Sequence, residues 1–476
     1  NIDRTLWMHA LNYAMINFDS YIGYAQNYYL YRDQSNQWNP IIWDLNMSFG
    51  GFRLTDASQL YFNGFDIVQA QNMDPLMHHN VFSVANRPLM RNIFDSDRNR
   101  RMYIAHIRTI MEENFANQDY VLRAQYLQNL INQSVQNDTN KFYTYSDFIT
   151  NINNQVFLVS SICPGITQLM DARSIYLSSY NGYSGEPTIS NISYDPQNLN
   201  LGDDLWITAE LIDGSYMMLA YRFGSNQRFK YLEMFDDGNH GDGIAGDGVY
   251  GCKINNCSNS IDYYLYAEND SSGVFSPVRA AYEYYTIQSK IQQGDLVINE
   301  LMSNNISIVT DNSGKYEDWI ELYNNTSTPI STQGLYLSDT ITNLLKWNLP
   351  NYVIPANDYL IIWADEDGHQ GGSHANFKLS NLGEQLFLSN IDSSLIDSVS
   401  YITQADNISY ARSPNGFGQF FMLTPTFNAN NDFPNLIDEV SEKVMIYPNP
   451  FTDVLYLKKE EKIEVRDILG KTIYFS

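Results

Sequence analysis

Apolar residues recur at helical spacing in two long stretches of the N-terminal third. In RNRRMYIAHIRTIMEENF (residues 98–115) Met102, Ile104, Ile107 and Ile110 stand among charges. In DYVLRAQYLQNLINQSVQ (residues 119–136) Leu122, Tyr126, Leu127, Leu130 and Ile131 do the same. Both patterns predict amphipathic helices. The first residues, NIDRTLWMHALNYAMINF, read as the middle of a helix. Between these helices, QNYYLYRD and NPIIWDLN are strand patterns separated by QSNQW, which predicts a hairpin. The Gly- and Pro-bearing run NGYSGEP at 181–187 closes this first region.

Beyond it the period changes from helical to two. DLWITAEL, MMLAYRF and IDYYLYAEN alternate between Gly/Asn/Asp clusters over residues 187–293, as in an immunoglobulin-like sandwich. LVINELMS, DWIELYNN, YLIIWADE and EQLFLSN continue the texture over residues 294–431. In DWIELYNN the alternation puts Trp319 and Ile320 on opposite faces of one strand. MIYPNPFTDVLYLKK and IEVRDILGKTIYF form a short β tail within residues 440–476. No period of 20–50 residues repeats, so a solenoid is excluded.

Composition sharpens this division. The 476 residues are 44% hydrophobic and 14% aromatic, enough to bury several cores, and the length predicts about three domains. Fifty-four Asp and Glu against 28 Lys and Arg leave a net charge of −26. Phosphate backbones repel such a chain, so no nucleic-acid partner is expected, whereas hard cations find abundant oxygen ligands. No apolar run is long enough for a transmembrane segment. Cys252 and Cys257 are placed for a small loop disulfide, with Cys163 left over. The missing initiator Met and the mid-helix opening suggest a chain cut from a longer protein.

The hairpin carries the candidate chemistry. In order come Asp19, Asn27, the hairpin, Asp44, Asn46 and Phe49-Gly50. Metal-assisted phosphoryl transfer asks for one carboxylate to orient the attacking hydroxyl, and for an amide and a second carboxylate to hold Mg²⁺ against nucleotide phosphates. Protein kinases deliver these groups as an Asp…Asn loop, a hairpin and Asp-Phe-Gly. A plainer reading lets Asp44 end an edge strand and Asp19 cap a helix.

NFDSYIGYAQNYYLYRD…WNPIIWDLNMSFGGF resembles the core of the CotH kinase family, atypical secreted kinases, and RPLMRNIFDSDRNRRMYIAHIRTIMEENF resembles that family's C-terminal lobe. The resemblance covers residues 1–182. It implies that Asp19 is the catalytic-loop carboxylate, that Asn27 orients or ligates, and that Asp44 binds Mg²⁺ (or Mn²⁺) carrying ATP, with Asn46 beside the nucleotide. It implies transfer of the γ-phosphoryl group to Ser or Thr of a surface protein. Asn46 stands where the family has a second Asp, and the N-terminal lobe, with its phosphate-contacting Lys and Glu partner, is expected outside this chain.

Three further segments carry expectations. MFDDGNHGDGIAGDGVYG places Asp236, Asp237, Asp242 and Asp247 among six glycines, a candidate Ca²⁺ loop that turn chemistry alone also explains. It resembles a loop of immunoglobulin-like modules that accompany CotH domains. VINELMSNN, DWIELYNNTSTPISTQGLYLSD and IPANDYLIIWAD resemble a lamin-tail domain; there Glu317, Asp318 and Glu321 read as a solvated acidic face. DEDGHQGGSH holds His369 and His374 near three acids, and without a third ligand at recognisable spacing it reads as a polar loop. The tail, through Tyr447-Pro448-Asn449-Pro450 and Asp467-Ile468-Leu469-Gly470-Lys471, is similar to the C-terminal sorting domain of the type IX secretion system, here truncated. That likeness implies engagement of a secretion machinery and a Bacteroidetes-type secreted or cell-surface protein.

The expected fold is therefore multidomain: an α+β kinase-like C-terminal lobe, two all-β immunoglobulin-like sandwiches and a short β tail. The expected function is a secreted or surface CotH-like kinase. The alternative is a non-catalytic surface scaffold or adhesin, with a degenerate kinase lobe and β modules that bind glycan or protein. No nucleophilic hydrolase is supported, since Gly-x-Ser-x-Gly is absent. The tyrosine runs 28–31 and 263–266 read as packing rather than sugar stacking.

Overall fold

A computed structural model describes residues 2–432 except 34, 57, 81–86, 159–160 and 198, together with the backbone of short strands at 446–447, 456–457, 464–466 and 472–475. The first helix, α1 (Ile2–Ala14), buries Leu6, Met8, Ala10 and Tyr13. It packs along the helix Asp97–Asn114, which is capped by the Ser96 side chain and buries every residue from Met102 to Met111. Met102, Ile104, Ile107 and Ile110 all lie in this core, as their spacing requires.

The next helix, Asp119–Asn137, forms where its apolar stripe predicts, yet none of its residues is buried. Leu122 and Leu130 are 67% and 66% exposed. The 3.6-residue period specifies a helix with an apolar side; it cannot say what covers that side.

Arg173, on the helix Ile166–Ser178, is the deepest cation of this region. Its Nη2 donates to the Tyr13 carbonyl at 2.8 Å and Nη1 to that of Met73 at 2.9 Å, with Ala14, Ala70 and Gln71 carbonyls also in reach. The free carbonyls at the end of α1 and of the helix Ile67–Gln71 thus share one guanidinium, whose charge also suits the negative ends of both helix dipoles. Burial lowers its pKa to about 10.

The second region forms two antiparallel sheets. One holds Thr188–Asp195, Leu205–Ile212 and Val249–Ile254; the other is built on Ser260–Glu268 and Tyr216–Arg222. The strand Ser260–Glu268 is buried along its whole length. Period two explains why: Ile261, Tyr263, Leu265 and Ala267 fill the space between the sheets, while Tyr264 and Tyr266 pack into the helical core beside Phe275.

This second face joins the first two regions. Glu268 accepts from Arg98 at 3.1 Å, Arg101 at 2.9 Å and the Tyr266 hydroxyl at 2.7 Å. Arg228 donates to the Ser35 and Asn36 carbonyls at 2.8 and 2.6 Å, tying the sandwich to the first hairpin's turn. The loop at 181–187 separates two textures of sequence, but one core runs across it. The Cys252 and Cys257 thiols are free rather than disulfide-bonded, and burial pushes both up to about 12; Cys163 is free as well.

The third region is again antiparallel, with five strands built around Leu296–Met302 and Trp319–Asn324, four around Gln385–Asn390, and a small pair of Ile330–Ser331 with Val353–Ile354. Ile320 enters the main core, while Trp319 packs on the opposite face with Met302, Trp363 and Phe427. The tail expectation at 440–476 lies outside the described residues, apart from the backbone of the four short strands, which pair two by two. Among the described residues no helix is long and apolar enough to cross a membrane.

Candidate active site

The hairpin pairs β1 (Tyr28–Arg32) with β2 (Trp38–Ile42) in antiparallel register, Tyr28 opposite Ile42. One step beyond that pair, the Trp43 amide donates to the Asn27 carbonyl at 3.2 Å. The Asn27 side chain donates through Nδ2 to the Asp19 carbonyl at 3.0 Å. Asn27 is therefore the joint that brings Asp19 and the Trp43-Asp44 dipeptide to the open end of one hairpin. With its Nδ2 committed to Asp19, the amide is oriented and its Oδ1 remains an acceptor.

The backbone here is unusual. Ile16, Ala25, Asn27, Asp44 and Phe49 all have positive φ, between 50° and 58°. For Asn and Asp this conformation is tolerated; for a buried Ile and for Phe it is an outlier held by its surroundings. The holding bonds are visible: the Phe49 amide donates to Met15 at 2.8 Å and Gly50 to Ile16 at 3.1 Å. The end of α1, steadied by Arg173, is thus stitched to the segment after Asp44.

Asp19 is half-buried and accepts a hydrogen bond from Gln26; Asp44 and Asn46 are exposed, with Asn46 in a single 3₁₀ turn, Leu45–Met47. The hairpin beside them exposes Tyr29, Tyr31, Trp38 and Trp43, each more than half accessible. In contrast, Tyr263, Tyr264 and Tyr266 are core residues, as the packing reading expected.

The Asp/Gly loop spends its carboxylates on its own backbone. Asp242, 2% exposed, accepts from the Asp237, Gly238 and His240 amides at 2.6–2.7 Å. Asp236 accepts from Gly246 and Gly248, Asp237 from Asn239 and the His240 ring, and Asp247 from Val249. The glycines at 238, 241, 243, 246 and 248 all have positive φ, which the tight turns require.

The acidic residues of the lamin-tail-like segment correct the sequence reading. Glu321 is fully buried, not part of a solvated face. It accepts from Asn299 Nδ2 at 2.8 Å and from the Asn428 amide at 2.6 Å, while buried Glu300 accepts from the Thr426 amide at 3.1 Å and hydroxyl at 2.7 Å. Burial raises the Glu321 pKa to about 8 and that of Asp318 to about 7. These side chains latch the segment near residue 426 onto the five-stranded sheet, which explains Asn and Glu at strand positions.

Residues 1–160 match the family model described as CotH kinase protein, and residues 289–403 match that of the Lamin Tail Domain. No curated protein matches the chain. Among solved structures it is similar to a cycloalternan-forming enzyme from Listeria monocytogenes in complex with a pentasaccharide substrate, at 12% identity over 47% of this chain and 20% of that one, with a TM-score of 0.17. A red sea bream transglutaminase is similar at 7% identity over 57% of this chain and 44% of that one, with a TM-score of 0.16. The chain thus spans less than half the length of either, and likeness this slight carries no argument. This polypeptide therefore combines a region similar to the CotH kinase proteins with a region similar to lamin tail domains.

Proposed function

We propose that the N-terminal region is the phosphoryl-transfer lobe of a CotH-like protein kinase, with Asp19, Asn27 and Asp44 as its working groups. The observation that carries this reading is the double role of Asn27, bonded to Asp19 through its side chain and to Trp43 through its backbone. The donor set suits a hard cation: an exposed carboxylate, Asp44, and the Asn27 amide oxygen, which the Nδ2 bond to Asp19 leaves as an acceptor, with the Asn46 amide two residues on. Mg²⁺ (or Mn²⁺), when bound with ATP, neutralises charge on the transferred phosphoryl group.

Asp19 would orient the hydroxyl of a Ser or Thr side chain on a surface protein and accept its proton. Gln26 holds one Asp19 oxygen and leaves the other for that hydroxyl. Asp44 and Asn27 would hold the cation, and the left-handed turns at Ala25, Asn27 and Asp44 direct the chain so that these groups meet at the hairpin's end. A second reading, a surface scaffold that binds glycan or protein, is favoured by Asn46, an amide where the family carries a carboxylate.

Calorimetric titration of Mg-ATP into the full-length protein separates the two. Binding that Asp44→Ala abolishes, with phosphate transfer to a surface-protein substrate lost in Asp19→Asn, supports the kinase. The absence of heat in folded wild-type protein overturns it in favour of the scaffold.

A further inference from the structure

The polar loop DEDGHQGGSH becomes something else once folded. One donor atom each from Asp311, Asp365 and His374 lies within 4.8 Å of the other two, and all three residues are buried. Asp311 arrives from a turn about fifty residues earlier in the chain, so no local spacing announces it.

The two carboxylates bond to their own turns, and Asp365 bonds to the His374 ring as well. Oδ1 of Asp311 accepts from the Ser313 and Lys315 amides at 2.9 and 2.8 Å, which shapes the 311–315 turn. Asp365 Oδ1 accepts from the Asp367 amide at 3.0 Å, and its Oδ2 lies 2.6 Å from His374 Nδ1. The backbone beside His374 is fixed to Trp363, through Ser373 at 2.8 Å and Ala375 at 2.7 Å. Above the cluster, Lys315 and Gln370 both donate to Asp367, and Ser313 bonds to Gln370, so the two loops are latched at their rim.

What is unfinished lies inside. Asp311 Oδ2 and His374 Nε2 are buried donor-set atoms without a hydrogen-bond partner, on residues only 5% and 2% exposed. A buried carboxylate oxygen with no proton, N–H or cation opposite it is costly, and here two carboxylates are buried side by side. The Lys315 ammonium pairs with Asp367 at the rim instead.

We propose that Asp311, Asp365 and His374 form a binding site for a first-row divalent cation, Zn²⁺ being the best fit. Two carboxylates and an imidazole are a borderline donor set: nitrogen selects first-row ions over Ca²⁺, which takes six to eight oxygens. Ligand bonds of about 2.0–2.2 Å to zinc require donor atoms roughly 3–4 Å apart, and the three donor atoms here lie within 4.8 Å of one another. Three protein ligands leave a position for water. The bound ion joins the 311–315 turn to the 365–374 loop and so pins one end of the sandwich.

The test uses the full chain, stripped with chelator and titrated with Zn²⁺, Mn²⁺, Ca²⁺ and Mg²⁺ in turn, while calorimetry reads stoichiometry and thermal melting reads stability. One Zn²⁺ per chain, an upward shift of one melting transition, and at least a tenfold loss of affinity in Asp311→Asn are expected. Asp311→Asn keeps the Oδ1 contacts that shape its turn, so it should fold; His374→Gln gives an independent check. Co²⁺ should develop a visible absorption band that Asp311→Asn weakens. Asp44→Ala should leave all of this unchanged, which separates this site from the nucleotide site. Failure of folded, stripped protein to bind zinc, a preference for Ca²⁺, or zinc binding indifferent to both Asp311→Asn and His374→Gln would each overturn the proposal.

Discussion

Two groups of carboxylates in this molecule differ in what surrounds them. Asp19 and Asp44 sit at the open end of a hairpin, one half-buried and one exposed, joined through the side-chain bond of Asn27 to Asp19 and its backbone bond to Trp43. Asp311 and Asp365 are buried with His374, and two of the polar atoms there have no partner. Water satisfies an exposed carboxylate, so it can wait for a ligand that comes and goes, such as a nucleotide with its cation. A buried one needs a hydrogen-bond donor, a proton or a cation in place of water, and an oxygen left with none of these points to a resident ion. On the two proposals, similar donor chemistry serves a transient ligand in one place and a structural one in the other, and burial makes the difference.

The most severe test of the first group lies behind it. Replacing Arg173 with Met leaves the Tyr13 and Met73 carbonyls, among others, buried without a donor. The expected loss is about 3–5 kcal/mol of unfolding free energy in urea, with nucleotide binding lost as well. Unchanged stability would mean that the end of α1 is held by other means.

Next in size is chelation. Zinc at a hundredfold excess over its Kd should stabilise the third region by about 2.7 kcal/mol, an effect read as a melting shift confined to one transition. A shift of every transition would show that the ion is not local to that region.

The pH dependence of the stripped protein comes third. The folded pKa of Glu321 is raised by burial to about 8, above its ordinary 4.5. Between those values the folded state keeps a proton that the unfolded state releases. Stability from this group is therefore complete at low pH and falls as pH rises toward 8. Asp318, raised to about 7, acts in the same direction. The melting temperature of this region should drop by several degrees between pH 5 and 8, and Glu321→Gln should flatten much of that slope. A melting temperature that rises over the same interval would refute the assignment.

The smallest effect belongs to the exposed site. Asp44→Ala should abolish Mg-ATP heat in the full-length protein while moving the melting temperature by no more than about 2 °C, because an exposed side chain contributes little to folding. A large fall in stability would instead make Asp44 a structural residue.

The elements were largely legible in the sequence because their patterns are local. Met102, Ile104, Ile107 and Ile110 mark a helix and its buried face, and the alternation at Trp319-Ile320 marks two faces of one strand. Partners were not legible. Leu122 and Leu130 obey the same helical period as Ile107, yet they face solvent. Glu321 reads as a surface acid until the segment near residue 426 folds over it.

The sequence by itself determined the order of textures, the helices and strands, and the hairpin that places Asp19, Asn27 and Asp44 within one short stretch. Periodicity and turn chemistry act over a few residues, so a linear reading captures them. Only the tertiary structure decided that the tyrosines of Ser260–Glu268 enter the helical core, that Arg173 closes two helix ends, and that Asp311 meets Asp365 and His374. Those outcomes depend on burial and on contacts between residues far apart in the chain. Burial decides whether a carboxylate is solvated, hydrogen-bonded or in need of a cation.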